Sequence, residues 1–181
     1  MKKEENILEL FLNEPTKHWH FEELVKRGKV SRPQTNDWLK IFLKEGLIQR
    51  IKEKKKMPYY IANYQSPSYH LRKKMYAIEQ MNKTGFLKHL LSLPKVKNII
   101  IFGSFSRWDW YKESDIDLFI YGDSEGLKIL PFRKKLRRDI EVFHVSDLQK
   151  LKKMPPALLK NIIEGYHLKG KLSFLEVKAH V

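Results

Sequence analysis

An α+β fold in two modules is what this 181-residue chain predicts. Three observations carry that expectation. Apolar residues recur at helical spacing three times before Gly46, then alternate with polar ones on either side of a Lys-rich turn. A run of β-branched and large apolar residues, Val96 to Phe102, breaks off at Gly103-Ser104. Two acid-bearing segments, Asp115 to Ile120 and Ile140 to Val145, alternate as strands do. The expected organisation is an N-terminal module over 1–65, a connecting helical segment over 66–94, and a small mixed sheet with helices on one side over 95–181.

Ile7, Leu8, Phe11 and Leu12 give the first helical stripe, closed by Glu14-Pro15. Phe21, Leu24 and Val25 give a second, ending near Gly28. Ser31-Arg32-Pro33-Gln34 has the pattern of a helix start: a capping hydroxyl, an early proline and a glutamine three residues on. Leu39, Phe42 and Leu43 continue that third helix until Gly46. Leu47 to Lys52 then alternates, Glu53-Lys54-Lys55-Lys56 turns, and Tyr59-Tyr60-Ile61 returns with Pro58 at its edge. Three helices and a hairpin with a basic tip resemble the winged helix-turn-helix superfamily over roughly residues 4–63. The resemblance implies a third helix in the major groove and a wing on the backbone. Arg32, Gln34, Thr35 and Asn36 would then lie near bases, and Lys54, Lys55 and Lys56 near phosphates. Winged helices also serve protein–protein contacts, and Lys-rich turns are commonly just solvated, so those readings stand beside it.

Gln65 to Ser68 is a polar break. Tyr69 to Asn82 reads as a connecting helix, with Leu71, Met75 and Ile78 along one side. Phe86 to Leu93 is a short helix stopped at Pro94.

The absence of cysteine excludes disulfides, thiolate catalysis and Cys-based zinc sites. No apolar run is long enough to span a bilayer, and the charged start has no signal-peptide core, so a cytoplasmic protein is expected. The net charge is +15, divided as +5, +4 and +6 over residues 1–65, 66–94 and 95–181. An excess spread along the chain suits polyanions or nucleotide phosphates as partners of both halves, and equally a protein with Lys-rich solvated faces.

The chemistry concentrates after residue 100. A strand that breaks at Gly103-Ser104 and enters a helix presents backbone N–H groups and a hydroxyl together, which are phosphate ligands. Residues i and i+2 of a strand share a face, so Asp115 and Asp117 project together while Ile116 and Leu118 point into the core. Side-by-side carboxylates repel unless a divalent cation lies between them. On the second acidic strand Glu141 and Phe143 share one face; Ile140, Val142 and His144 share the other. If the two strands are neighbours, Glu141 joins the aspartates, and three carboxylates can hold two Mg²⁺ ions for in-line attack at a nucleotide phosphate.

Gly103-Ser104-Phe105-Ser106-Arg107 followed by Ser114-Asp115-Ile116-Asp117-Leu118 resembles the signature of the DNA-polymerase-β-type nucleotidyltransferases, and most closely their minimal branch, over roughly residues 84–172. The resemblance implies that Gly103 and Ser104 bind triphosphate oxygens. It implies that Asp115 and Asp117 hold Mg²⁺ or Mn²⁺, and that Glu141 completes the site of the attacking hydroxyl. Arg107 would steer phosphates or brace the loop. The chain departs from the pattern at Trp108, where glycine is usual, and at Glu141, where aspartate is common. Trp108, Trp110 and Tyr111 could stack on a base or pack the loop. Arg133 to Arg138 could attract a triphosphate or an acidic acceptor, or be a solvated helix face. His144 reads as structural.

The function expected is transfer of a nucleoside monophosphate from an NTP, with ATP as first candidate, to a hydroxyl acceptor on protein or nucleic acid. Relatives in the minimal branch often pair with a separate all-α HEPN partner, which here would be another polypeptide. The rival reading is a winged-helix DNA-binding regulator whose transferase core senses nucleotide or is idle.

Overall fold

The computed structural model describes residues 3–172. The outermost parts of the two expected modules, residues 1–2 and 173–181, lie outside the described residues. The chain divides into two compact units, Met1–Tyr76 and Ala77–Val181.

In the first unit, helices α1 (Lys3–Asn13), α2 (Phe21–Gly28) and α3 (Arg32–Lys44) precede strands β1 (Ile48–Ile51) and β2 (Tyr59–Ala62). The Ser31 hydroxyl accepts the Gln34 backbone N–H and caps α3, while the Gln34 side chain returns to that hydroxyl at 3.1 Å. Lys44 is the last helical residue, and Gly46 follows in the left-handed region at φ +70°. β1 and β2 pair antiparallel, with Lys55 of the intervening turn at φ +60°. Trp19, in the linker between α1 and α2, exchanges both backbone hydrogen bonds with Tyr60 at 2.8 Å and so adds an isolated antiparallel bridge to β2. Its ring is fully buried against the edge of Phe11. That anchoring role for Trp19 is invisible in the sequence pattern.

Helix α4 (Pro67–Lys83) runs through the boundary between the units. Its buried line is Tyr69, Lys73, Ala77 and Met81, four residues apart each time. Leu71 and Met75, expected along an apolar side, are instead 59% and 55% exposed. The amphipathic stem of Lys73 occupies the buried line, which shifts the inward face away from the obvious apolar letters.

The second unit runs α5 (Phe86–Leu91), β3 (Val96–Phe102), α6 (Gly103–Arg107), β4 (Ile116–Gly122), α7 (Leu130–Leu136), β5 (Ile140–Val145), α8 (Leu148–Lys152), α9 (Pro156–Ile163) and β6 (Tyr166–Lys169). Its sheet has the order β5-β4-β3-β6. β3 is antiparallel to both β4 and β6, and β4 is parallel to β5, so the sheet is mixed. A parallel pair needs a crossover, and α7 lies in it. Ile100, Phe102, Phe119 and Tyr121 share one face and form a core with Val145, Leu151 and Ile162. Alternation sends Ile99, Ile101, Ile116, Leu118 and Ile120 to the other face, and these are buried too. The expectation of cover on one side is therefore corrected: β3 and β4 are inner strands, closed on both faces. Among the described residues no helix is long and apolar enough to cross a membrane.

Candidate active site

Strand register assembles the acids. Asp117 on β4 lies opposite Phe102 at the end of β3 and opposite Glu141 on β5. Paired residues on neighbouring strands share a face, so the Asp117 and Glu141 side chains emerge together, with backbones about 4.8 Å apart. The next pairs on that face, Phe119 with Phe143 and Tyr121 with Val145, lead into the core. Burying one such side chain contributes about 1.5–3 kcal/mol, enough to hold the strands in a register that places two like charges side by side.

Asp117 is half-buried; Asp115, one residue before β4, and Glu141 are exposed. Burial pushes the Asp117 carboxyl above the usual aspartate range, and repulsion from Glu141 and Asp115 adds to the rise, against a lowering pull from Arg107. Gly103 opens α6 with φ +66°, and a Cβ there would run into the Asp117 carboxylate. The glycine thus serves two ends: it permits the left-handed turn out of β3 and gives a carboxylate room above its backbone.

Three carboxylates are hard oxygen donors of the kind Mg²⁺ and Mn²⁺ take. The cradle over Gly103 and the mutual repulsion at Asp117 fit such an ion chemically. Yet among the described residues no group of three or more His, Asp or Glu side chains closes into a metal cage. Register delivers Asp117 and Glu141 as a pair, and Asp115, exposed one residue before the strand, is near enough for its charge to act on Asp117.

The loop from α6 to β4 is packed rather than open. Trp110 is buried and stacks on Phe105 at 5.3 Å. The Arg138 guanidinium lies 4.6 Å from the Trp110 ring centroid and donates to the Tyr111, Lys112 and Ser114 carbonyls. The Ser114 hydroxyl accepts the Tyr111 N–H and closes the turn before Asp115. Trp108 sits at φ +62° and meets Tyr166 edge-on. A left-handed backbone at this position explains why glycine suits it, and packing explains how a tryptophan is kept there. Arg107 pairs with Asp109 at 3.1 Å, which braces the loop, while its charge still reaches Asp117. The His144 Nε2 donates to the Gly122 carbonyl, on the face away from Glu141.

The role of Arg138 is not visible in the sequence. In the sequence Arg133 to Arg138 reads as one charge cluster, whereas Arg138 is withdrawn to pin the loop and Arg133 donates to the Ile140 carbonyl. The signal was positional: Arg138 lies just ahead of β5, level with the loop ahead of β4, because Ile116 and Ile140 are in register.

In the first unit Thr35 is fully buried, so it packs inside with Leu39 and Phe42 and is removed from the candidate base contacts. Arg32, Gln34 and Asn36 are exposed, with Arg32 bound to Glu22 at 2.6 Å. Lys40 and Lys44 are exposed on the same helix and were not anticipated. At the hairpin tip Lys56 is held by Glu53, leaving Lys54 and Lys55 as exposed cations.

The site is a glycine-opened turn beneath paired carboxylates on a mixed sheet. Residues 86–171 match the family described as "Polymerase beta, Nucleotidyltransferase". The match supports the nucleotidyltransferase superfamily, and a nucleotidyltransferase-type enzyme in general, for this part of the chain. No curated protein and no solved structure matches the chain.

Proposed function

We propose that the chain transfers a nucleoside monophosphate from an NTP, ATP as first candidate, to an acceptor hydroxyl. The observation that carries this is the Asp117–Glu141 register with Gly103 under the Asp117 carboxylate, inside the family-matched segment. The acceptor oxygen attacks the α-phosphorus, the α–β phosphoanhydride bond breaks, and pyrophosphate leaves. Asp115, Asp117 and Glu141 would hold Mg²⁺ or Mn²⁺, which supplies charge stabilisation at the phosphate oxygens when bound. Glu141, exposed beside Asp117, takes the proton of the acceptor hydroxyl. Gly103 and Ser104 hold triphosphate oxygens at the start of α6, and Arg107 adds positive charge. Burial raises the Asp117 proton affinity and repulsion from Glu141 and Asp115 adds to it; a cation held there would offset the repulsive part.

The direct test incubates the full chain with each α-labelled NTP, Mg²⁺ or Mn²⁺, and candidate acceptors: nucleic acid, the chain itself, or a co-expressed all-α HEPN-type partner. Label should move to one acceptor with release of pyrophosphate. No transfer with any NTP and metal would hand the function to the rival reading of a regulator with an idle core.

For the first unit we propose a winged-helix module that contacts duplex nucleic acid. The exposed face of α3 and the exposed tip at Lys54 and Lys55 support it. Replacing Lys54 and Lys55 with Ala should weaken duplex binding similarly across sequences. It should flatten the salt dependence by about 1.8, taking ~0.9 per neutralised phosphate. Lys56→Ala should do less, because Glu53 already engages that charge. An unchanged salt slope in anisotropy titrations would remove the hairpin tip from the interface.

A further inference from the structure

The loop that carries Asp115 is exposed from Tyr111 to Glu113, and its acid repels Asp117. Left to itself, such a loop would relax by taking Asp115 outward, away from the like charge. Its own turn restrains it only in part. The Ser114 hydroxyl accepts the Tyr111 N–H at 2.8 Å, and the Ser114 N–H donates to the Tyr111 carbonyl at 3.1 Å. Those bonds shape residues 111–114 without tying them to another element.

Arg138 supplies the tie. One guanidinium nitrogen donates to the Tyr111, Lys112 and Ser114 carbonyls at 2.7, 2.9 and 3.0 Å, and the last belongs to the residue before Asp115. The guanidinium carbon lies 4.6 Å from the Trp110 ring centroid and 5.2 Å from that of Phe105. These two rings are buried and stacked within 10° of parallel, and Phe105 follows Gly103-Ser104 in α6. The Arg138 backbone is fixed as well. Its N–H donates to the Arg133 carbonyl of α7 at 3.2 Å, and the next residue, Asp139, accepts the Ile116 N–H at 2.9 Å. From there β5 runs on to Glu141. One side chain thus joins the turn after Gly103-Ser104, the loop of Asp115 and the strand of Glu141. Tyr111 and Lys112 are exposed, so water could satisfy their carbonyls. A guanidinium placed on them fixes position; it does not fill a shortage of donors.

We infer that Arg138 is a positioning residue for the transfer reaction: it holds Asp115 beside Asp117 and Glu141, and so sets the opening in which the three acids take a divalent cation. The inference rests on the nucleotidyl-transfer reading given above. It acts through Asp115 and makes a definite chemical demand. Lysine carries the same charge, but it is a point charge on a flexible stem, with no planar fork to span three carbonyls and no flat face for Trp110. Charge alone therefore cannot replace Arg138.

The test is a double-mutant cycle in the full chain, read as Mn²⁺ affinity by electron paramagnetic resonance and as label transfer from α-labelled ATP. Arg138→Lys should bind Mn²⁺ about tenfold more weakly than the parent, the lower end of what loss of a ligand-orienting group brings. Transfer should fall in step, and excess Mn²⁺ should restore most of it. Asp115→Asn should also bind weakly, and adding Arg138→Lys to it should bring no further loss, because the loop then has no acid left to place. An arginine that merely stabilised the fold would weaken both backgrounds by the same factor. Arg138→Met, which keeps an apolar stem against the rings but no donor, should match Arg138→Lys, and metal-free melting curves identify any variant that has lost its fold. Equal losses in the two backgrounds would overturn the inference. So would parent-like Mn²⁺ affinity and transfer in Arg138→Lys. The underlying reading fails separately, if the parent itself binds no Mn²⁺ and transfers no label, and the role of Arg138 then falls with it.

Discussion

Asp117→Asn should lower nucleotidyl transfer by about a hundredfold or more and leave the metal-free protein at least as stable as the parent. Each tenfold loss corresponds to about 1.4 kcal/mol of barrier. The substitution keeps size and hydrogen-bonding capacity but removes the charge that Glu141 and Asp115 both repel. The stability effect has a definite sign with pH. The folded state raises the Asp117 proton affinity, through burial first and then the two neighbouring acids. The folded protein therefore holds that proton more tightly than the unfolded chain, and stability falls as pH rises through the window between the ordinary aspartate value and the raised one. Above that window the parent carries the full cost of ionising Asp117, and the Asn variant does not. Below it both forms are neutral at this site and the difference vanishes. Melting curves across acid to neutral pH should thus diverge upward in favour of the variant. Added Mg²⁺ and NTP should stabilise the parent more than the variant. Equal ligand-induced shifts and equal transfer would show that Asp117 holds neither metal nor charge for the reaction.

The acid pair was legible because strands have a period of two and leave little freedom. Asp115 and Asp117 alternate with Ile116 and Leu118, and Glu141 with Ile140 and Val142. Once β4 and β5 are neighbours, alternation alone assigns the face. Gly103 was readable as a phosphate-loop glycine, but its contact with Asp117 was not, since nothing in the chain tells which strand a turn will close over. Helix faces were less legible. Leu71 and Met75 look like the inward side of α4, yet the buried line through Lys73 lies two residues away, nearly half a turn round the helix; Thr35 looks like a surface residue of α3, yet it lies on the buried line with Leu39 and Phe42. β6 escaped altogether: Tyr166 to Lys169 is four residues long, and its place depends on pairing with β3, far away in sequence. Gly165 carried the one local hint, as a Cβ there would press on the Ile101 carbonyl at 2.7 Å. Arg138 shows the same limit for charge. A basic run reads as solvated until the fold reveals which member faces a row of carbonyls.

Gly103→Ala should damage both fold and transfer, because one methyl group meets two separate obstacles. The first is local: residue 103 sits at φ +66°, and holding an L side chain in that region costs about 1–2 kcal/mol. The second is the Asp117 carboxylate, which occupies the space a Cβ would need. Asp117 is half-buried on an inner strand paired on both sides, with Phe102 and Glu141 as its register partners, so the backbone cannot yield and the carboxylate must rotate away. Melting should fall by several degrees, at roughly 4–8 °C per kcal/mol for a unit of this size. Transfer should drop by about a hundredfold, the scale expected when a reacting group is misplaced by about an ångström. A second substitution separates the causes. In Gly103→Ala/Asp117→Ser the shorter side chain frees the space, so the melting loss should shrink to the backbone strain alone. The two substitutions should be non-additive in stability, as groups in contact are. Strict additivity would mean that the methyl and the carboxylate never meet. Full transfer by Gly103→Ala would mean that this turn does not set the position of Asp117.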